Sequence, residues 1–120
     1  MTEQDLINKY PRLFRQKDLP LTHTAMCWGI DCGPGWYNLL DNMCKELQYL
    51  TDEKGHPQIE FTQIKEKFGT LRVYTSGESD EQFEVIRDYE YLSGYTCEEC
   101  GEMGEIKGDY WLVTRCPNCL

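Results

Sequence analysis

The chain has 120 residues and a formal net charge of −9, with 12 Lys plus Arg against 21 Asp plus Glu. At 40% hydrophobic and 12% aromatic residues it can form a core, which excludes a disordered polyampholyte, and no apolar run approaches the ~18 residues of a membrane helix. Met1–Asp5 lacks the basic start and apolar stretch of an export signal, and seven cysteines is an odd number, so a cytoplasmic protein with reduced or metal-bound thiols is expected.

Leu6, Ile7, Tyr10, Leu13 and Phe14 recur at near-helical spacing, and Pro11 interrupts them. A short helix, a turn and an extended Asp18–Thr22 are expected. His23–Gly35 has no period, and its glycines and proline predict a constrained loop. From Trp36 the positions Trp36, Leu39, Leu40, Met43, Leu47 and Leu50 trace one face of an amphipathic helix that ends near Gly55-His56-Pro57. Gln58–Lys65 and Thr70–Thr75 read as two strands of a hairpin turning at Lys67-Phe68-Gly69. Ser79-Asp80-Glu81-Gln82 has the form of a capping box, with Phe83, Ile86, Tyr89 and Leu92 as the apolar face of the helix and Gly94 as its stop. Glu105–Lys107 and Tyr110–Arg115 read as two short strands around Gly108-Asp109. The expected fold is α+β, with helices packed on a small antiparallel sheet over residues 1–94 and a zinc-ribbon-like hairpin over 95–120.

Cys97-x-x-Cys100 and Cys116-x-x-Cys119, fifteen residues apart, carry the strongest chemical signal. A two-residue spacer lets both thiolates of a pair face one ion, and a hairpin between the pairs completes a tetrahedron. Four thiolates with no open position predict structural Zn²⁺. Iron, disulfides or reduced core thiols are the other readings. For Cys27, Cys32 and Cys44, compact buried hydrophobes are expected. A second metal site with His23 and a thiol nucleophile are the alternatives.

The charge is concentrated. Glu78 to Glu105 holds ten acids and one base, Arg87, and the rest of the chain is neutral. The plainer reading is a solvated face. The sharper one is a contact surface for a basic partner, formed by Glu81, Glu84, Asp88, Glu98 and Glu99. Either way its sign argues against direct contact with nucleic acid. A second candidate site lies in Met26–Tyr37, where Gly33-Pro34-Gly35 delivers the chain to a helix N-terminus. Trp28, Asp31, Gly33, Gly35 and Trp36, with Lys65, Lys67 and Arg72 of the hairpin, could form a pocket for a small anion or nucleotide. The plainer alternative makes both tryptophans core anchors and leaves the lysines to solvate the hairpin.

Cys27, Trp28, Gly29, Cys32, Gly33, Gly35 and Trp36, then Lys65, Glu66, Lys67, Phe68, Gly69, Leu71 and Arg72, then the cysteine-rich tail, resemble small uncharacterised proteins of tailed bacteriophages and prophages. That group has a C-W-G-x-x-C-G-x-G-W box and a K-E-K-F-G-x-L-R box. Here Pro34 departs from the acidic residue expected at its place, and the tail ends C-x-x-C where some relatives end C-x-x-H. The resemblance implies a phage accessory protein in the host cytoplasm and supplies no activity. The leading functional expectation is a non-enzymatic protein that binds and modulates or inhibits a host protein. The alternatives are a nucleotide- or anion-sequestering protein and a small enzyme using Asp31 with Cys27 or Cys32. No membrane partner is expected.

Overall fold

A capping box opens the first helix, α1 (Glu3–Lys9), in the computed structural model, which describes residues 1–119. The Thr2 hydroxyl accepts from Asp5 N–H at 3.1 Å and the Asp5 carboxylate accepts from Thr2 N–H at 2.8 Å. The helix stops before Pro11, which has no N–H to continue it. The chain then turns back instead of extending over Asp18–Thr22. Arg15–Asp18 is a 3₁₀ turn, and His23 and Thr24 both donate to the Pro20 carbonyl. Tertiary contacts enforce the reversal. Phe61 N–H donates to the Leu13 carbonyl at 2.9 Å, and the Phe14 ring packs on Phe61 at 4.9 Å.

The aperiodic His23–Gly35 segment holds a two-residue strand, β1 (Ile30–Asp31), between 3₁₀ turns at Met26–Trp28 and Pro34–Trp36. Next comes α2 (Tyr37–Lys54), which buries Leu40, Met43, Cys44 and Leu47. It ends at Gly55, whose φ of +74° is the left-handed stop expected of glycine. Strands β2 (Glu60–Lys67) and β3 (Thr70–Ser76) form the hairpin, joined by Phe68-Gly69. Both turn residues have positive φ, 55° and 84°, the backbone a two-residue hairpin turn requires. Compared with the expected span, β2 is shifted two residues towards the turn.

The sheet order is β1-β2-β3, with β1 parallel and β3 antiparallel to β2. The fold is α+β with a mixed sheet, and α2 makes the crossover that a parallel β1–β2 pair needs. Phe61, Ile64, Leu71 and Val73 of the sheet share one buried cluster with Leu40, Met43 and Leu47 of α2 and Leu6, Leu13 and Phe14.

The Ser79–Gln82 capping box starts α3 (Asp80–Ser93) as expected, but the helix is rotated from its expected apolar face. Phe83 and Leu92 are exposed, and Gln82, Ile86 and Ser93 are buried. Polar contacts decide the rotation. Gln82 Nε2 donates to the Pro57 carbonyl at 2.8 Å, and Ser93 Oγ accepts from Leu71 N–H at 2.8 Å. With Glu90, which accepts from Val73 N–H at 2.9 Å, Ser93 covers the free edge of β3.

Strands β4 (Glu105–Lys107) and β5 (Val113–Arg115) pair antiparallel in the C-terminal hairpin. This hairpin sits on the β2–β3 turn, where the Thr114 hydroxyl donates to the Gly69 carbonyl. Among the described residues no helix is long and apolar enough to cross a membrane.

Candidate metal centre

The pair Cys97/Cys100 follows α3 and the pair Cys116/Cys119 follows β5, so the β4–β5 hairpin returns the second pair to the first. The four Sγ atoms lie within 4.8 Å of one another, with Cys100 and Cys116 at 3.5 Å. Four sulfurs each about 2.3 Å from one ion would stand roughly 3.8 Å apart, so the cluster could hold a metal ion. All four thiols are free, and a sulfur separation of 3.5 Å is far beyond a disulfide bond. The knuckle is a tight turn, with Gly101 N–H donating to the Cys97 carbonyl at 2.9 Å and Gly101 at φ +84°. Burial pushes the Cys97 thiol up, but hydrogen bonds from the backbone of Cys116, Cys100 and Glu99 outweigh it and bring it to about 6. Hydrogen bonds with Cys116, Cys100 and Cys97 push Cys119 up to about 12. Among the described residues no second group of three or more His, Cys, Asp and Glu has this arrangement, and His23, Cys27, Cys32 and Cys44 are not gathered into one.

The glycine box lies against this knuckle. Gly35 N–H donates to the Glu98 carbonyl at 2.7 Å, Gly33 N–H to the Glu98 carboxylate at 2.8 Å, and Trp36 Nε1–H to the Thr96 carbonyl at 2.8 Å. A Cβ on Gly35 would run into the Cys97 carbonyl, and one on Gly33 into the Glu98 backbone. These glycines permit a backbone-on-backbone approach. The anion expected beside Gly33-Pro34-Gly35 is a side chain of the protein itself, Glu98.

The expected ligand pocket therefore divides. Gly33, Gly35 and Trp36 are committed to the knuckle, and Trp36 is 0% exposed. Trp36 is a core anchor and Trp28, 69% exposed, is not. The sheet register sets Asp31, Lys65 and Arg72 in one row across the three strands. Lys67 lies 5.4 Å from the exposed Phe68 ring. Among the described residues Lys65, Lys67 and Arg72 have no ion-pair partner, and the buried Arg72 Nε has no acceptor.

The expected acidic surface is corrected at one position. Glu81, Glu84, Asp88 and Glu99 are exposed, but Glu98 is only 8% exposed, held by Gly33 and by Arg115 at 3.4 Å. Its desolvated carboxylate joins the knuckle to the core. Arg115 also pairs with Glu99 at 3.2 Å.

Burial pushes Cys32 up to about 12, with Glu98 and Asp31 adding to it, and burial likewise raises Cys44. Such thiols stay protonated at neutral pH, the opposite of an activated nucleophile. The sequence reading missed a cleft of about 870 Å³ between β3, α3 and β4. Three separate chain segments build it, and no local pattern in the sequence marks it. Comparison of the chain with protein-family models, with curated proteins and with solved structures finds no match.

Proposed function

We propose that this chain is a non-enzymatic accessory protein of the tailed-phage type that binds a basic host protein in the cytoplasm and modulates or inhibits it. In this reading the four cysteines hold Zn²⁺, the ion that suits a closed four-thiolate set, and the ion stabilises the C-terminal module without taking part in chemistry. One observation carries it: α3 turns Glu81, Glu84 and Asp88 to solvent together with large exposed side chains, Phe83, Tyr91 and Leu92. A purely solvating face has no need of those aromatics, and apolar anchors rimmed by charge are what a protein interface uses.

The test is quantitative co-purification from bacterial lysate across a salt series. The proposal expects one basic protein in stoichiometric amount, released by salt, and lost from the Glu81→Lys/Glu84→Lys/Asp88→Lys variant. Retention that ignores both salt and the reversal would remove the acidic face as the contact. Metal analysis of the same preparation should give one zinc per chain.

A second reading, a nucleotide- or anion-binding protein, is favoured by the unpaired Lys65, Lys67 and Arg72 beside the exposed Phe68 and Tyr74. A nucleotide panel that raises the melting temperature, with the rise lost in Lys65→Ala, would support it.

A further inference from the structure

The cleft between β3, α3 and β4 has a composition that selects its occupant. Tyr74, Phe83, Tyr91, Tyr95 and Ile106 line it, and each is among the exposed large hydrophobics of the chain. Tyr91 and Tyr95 stand one helical turn apart with ring centroids at 5.4 Å, forming a tilted aromatic wall. A volume of about 870 Å³ accommodates several side chains of an incoming segment.

The charged groups of the walls are mostly acidic. Glu78, Glu90 and Glu105 line the cleft, and Glu84 and Asp88 follow on the solvent side of α3. Of the two bases in the walls, Arg87 lies over the Phe83 ring at 5.7 Å. The other, Arg72, has no ion-pair partner among the described residues. Apolar depth with an acidic rim is the complement of a segment carrying aromatic or aliphatic side chains beside Lys or Arg. An anionic ligand would meet Glu78 and Glu90 beside the two arginines, Glu105 being already paired with Lys107 at 2.8 Å.

The edge of β3 limits how that segment binds. Leu71 and Val73 N–H groups already donate to Ser93 and Glu90, so an added strand cannot form the usual ladder there. Recognition must come from side chains, with the Arg72 guanidinium free to donate to a carbonyl of the occupant.

We infer that this cleft is the docking site for a basic, apolar-anchored peptide segment of the partner protein. Its apolar side chains seat against Tyr91, Tyr95 and Ile106, and its cations meet Glu78 and Glu90 in the walls and Glu84 and Asp88 on the solvent side. The inference rests on the protein-binding reading above and names the part of the surface that would carry the affinity.

The probe is a library of short random peptides selected on the full zinc-loaded chain, with the enriched peptides titrated into isotope-labelled protein and followed by NMR. The inference expects enrichment of Lys or Arg beside Phe, Trp or Leu, with backbone shifts at Tyr74, Tyr91, Tyr95 and Ile106. It expects Tyr91→Ala and Tyr95→Ala each to weaken binding about tenfold, as interface anchors do. Both rings are exposed, so both variants should fold, and unchanged melting temperature and zinc content check this. If the cleft variants bind normally while the Glu81/Glu84/Asp88 reversal abolishes binding, the cleft is overturned and the acidic-face reading stands. If selection yields acidic peptides, or none, the cleft is overturned alone and the co-purification still decides the protein-binding reading; if binding survives both sets of variants, the two fall together.

Discussion

The backbone N–H of Gly35 donates to the carbonyl of Glu98 at 2.7 Å, joining the start of α2 to the first cysteine knuckle across more than sixty residues of chain. Gly33 and Trp36 bond to the same stretch, at the Glu98 carboxylate and the Thr96 carbonyl. The four-cysteine module and the central helix are thus one mechanical unit, and the glycines are its contact surface.

Gly35→Ala is expected to be among the most damaging single-methyl changes in the protein. Its Cβ would overlap the Cys97 carbonyl, which is backbone and cannot swing aside, so the knuckle must separate from α2. A cost of about 2–4 kcal/mol is expected, on the scale of overpacking plus a lost hydrogen bond. Gly55→Ala is the control. Gly55 has φ +74° but nothing within 4 Å, so only backbone strain is added, about 1 kcal/mol. Urea unfolding midpoints of the two variants would measure the difference, and equal losses would refute the close-approach account.

With the proposed zinc in the cluster, its removal should loosen more than the hairpin. Cys97 and Cys116 are buried, and a cluster without an ion leaves thiols and knuckle amides in a site too small to be stabilised by apolar burial alone. Because Trp36 is buried and bonded to Thr96 while Trp28 and Trp111 are exposed, Trp36 should report the change. Chelation is expected to red-shift the tryptophan emission and to abolish amide protection over residues 95–119, and zinc should restore both. Cys116→Ser should show the chelated spectrum at any zinc level. An emission maximum indifferent to chelator would contradict the coupling.

Much of this architecture is legible in local patterns. The Trp36–Leu50 spacing marks α2 because that face meets the core directly, and Ser79-x-x-Gln82 marks the start of α3 because both partners of the box lie within one turn. The cysteine spacing identifies the four clustered thiols for the same reason. What escapes the sequence depends on distant partners. Two-residue β1 has no period to detect and exists because Ile30 and Asp31 register on Ile64 and Lys65. Gly33 and Gly35 suggest an anion site until Glu98 is seen to fill it. The rotation of α3 is unreadable because Gln82, a polar residue, goes inward to meet Pro57 while Phe83 goes out.

The pair Tyr10 and Asp41 gives the stability a pH signature at both ends. Tyr10 OH donates to the Asp41 carboxylate at 2.6 Å, and Lys9 pairs with it at 3.0 Å. Burial, and then that hydrogen bond, raise the Tyr10 phenol above its usual range. Burial pushes Asp41 up, but the bonds from Tyr10 and Lys9 outweigh it and hold the carboxyl below its ordinary value. A raised phenol stabilises the fold fully below its unfolded value of about 10 and loses that contribution as pH climbs through the folded value. A depressed carboxylate stabilises it above about 3.9 and loses that contribution as pH falls through the folded value. Tyr10→Phe should therefore cost about 1–3 kcal/mol at neutral pH, the range for a hydrogen bond to a charged group. The gap to wild type should narrow in strong alkali and again in strong acid. Urea midpoints measured across the pH range would check this, and a constant gap would refute it.

Gln82 is fully buried, and both ends of its amide are used. Oε1 accepts from Ser79 N–H at 2.9 Å, closing the capping box, while Nε2 donates to the Pro57 carbonyl at 2.8 Å and reaches Thr51 Oγ1 at 3.4 Å. The residue thus caps α3 and ties it to the segment that leaves α2. Gln82→Leu keeps much of the volume but leaves the Ser79 N–H without its partner and the Pro57 carbonyl with Thr51 Oγ1 alone, at 2.8 Å, an expected loss of about 1–3 kcal/mol from one unsatisfied donor and one lost bond. Gln82→Glu keeps the acceptor for Ser79 and removes the donor to Pro57, setting a carboxylate oxygen against a carbonyl. Its deficit should shrink as pH falls and the carboxyl regains a proton to donate, whereas the deficit of Gln82→Leu should stay flat over the same range. Thermal unfolding of both variants between neutral and mildly acidic pH separates the two effects, and parallel curves would mean that the Pro57 contact contributes nothing.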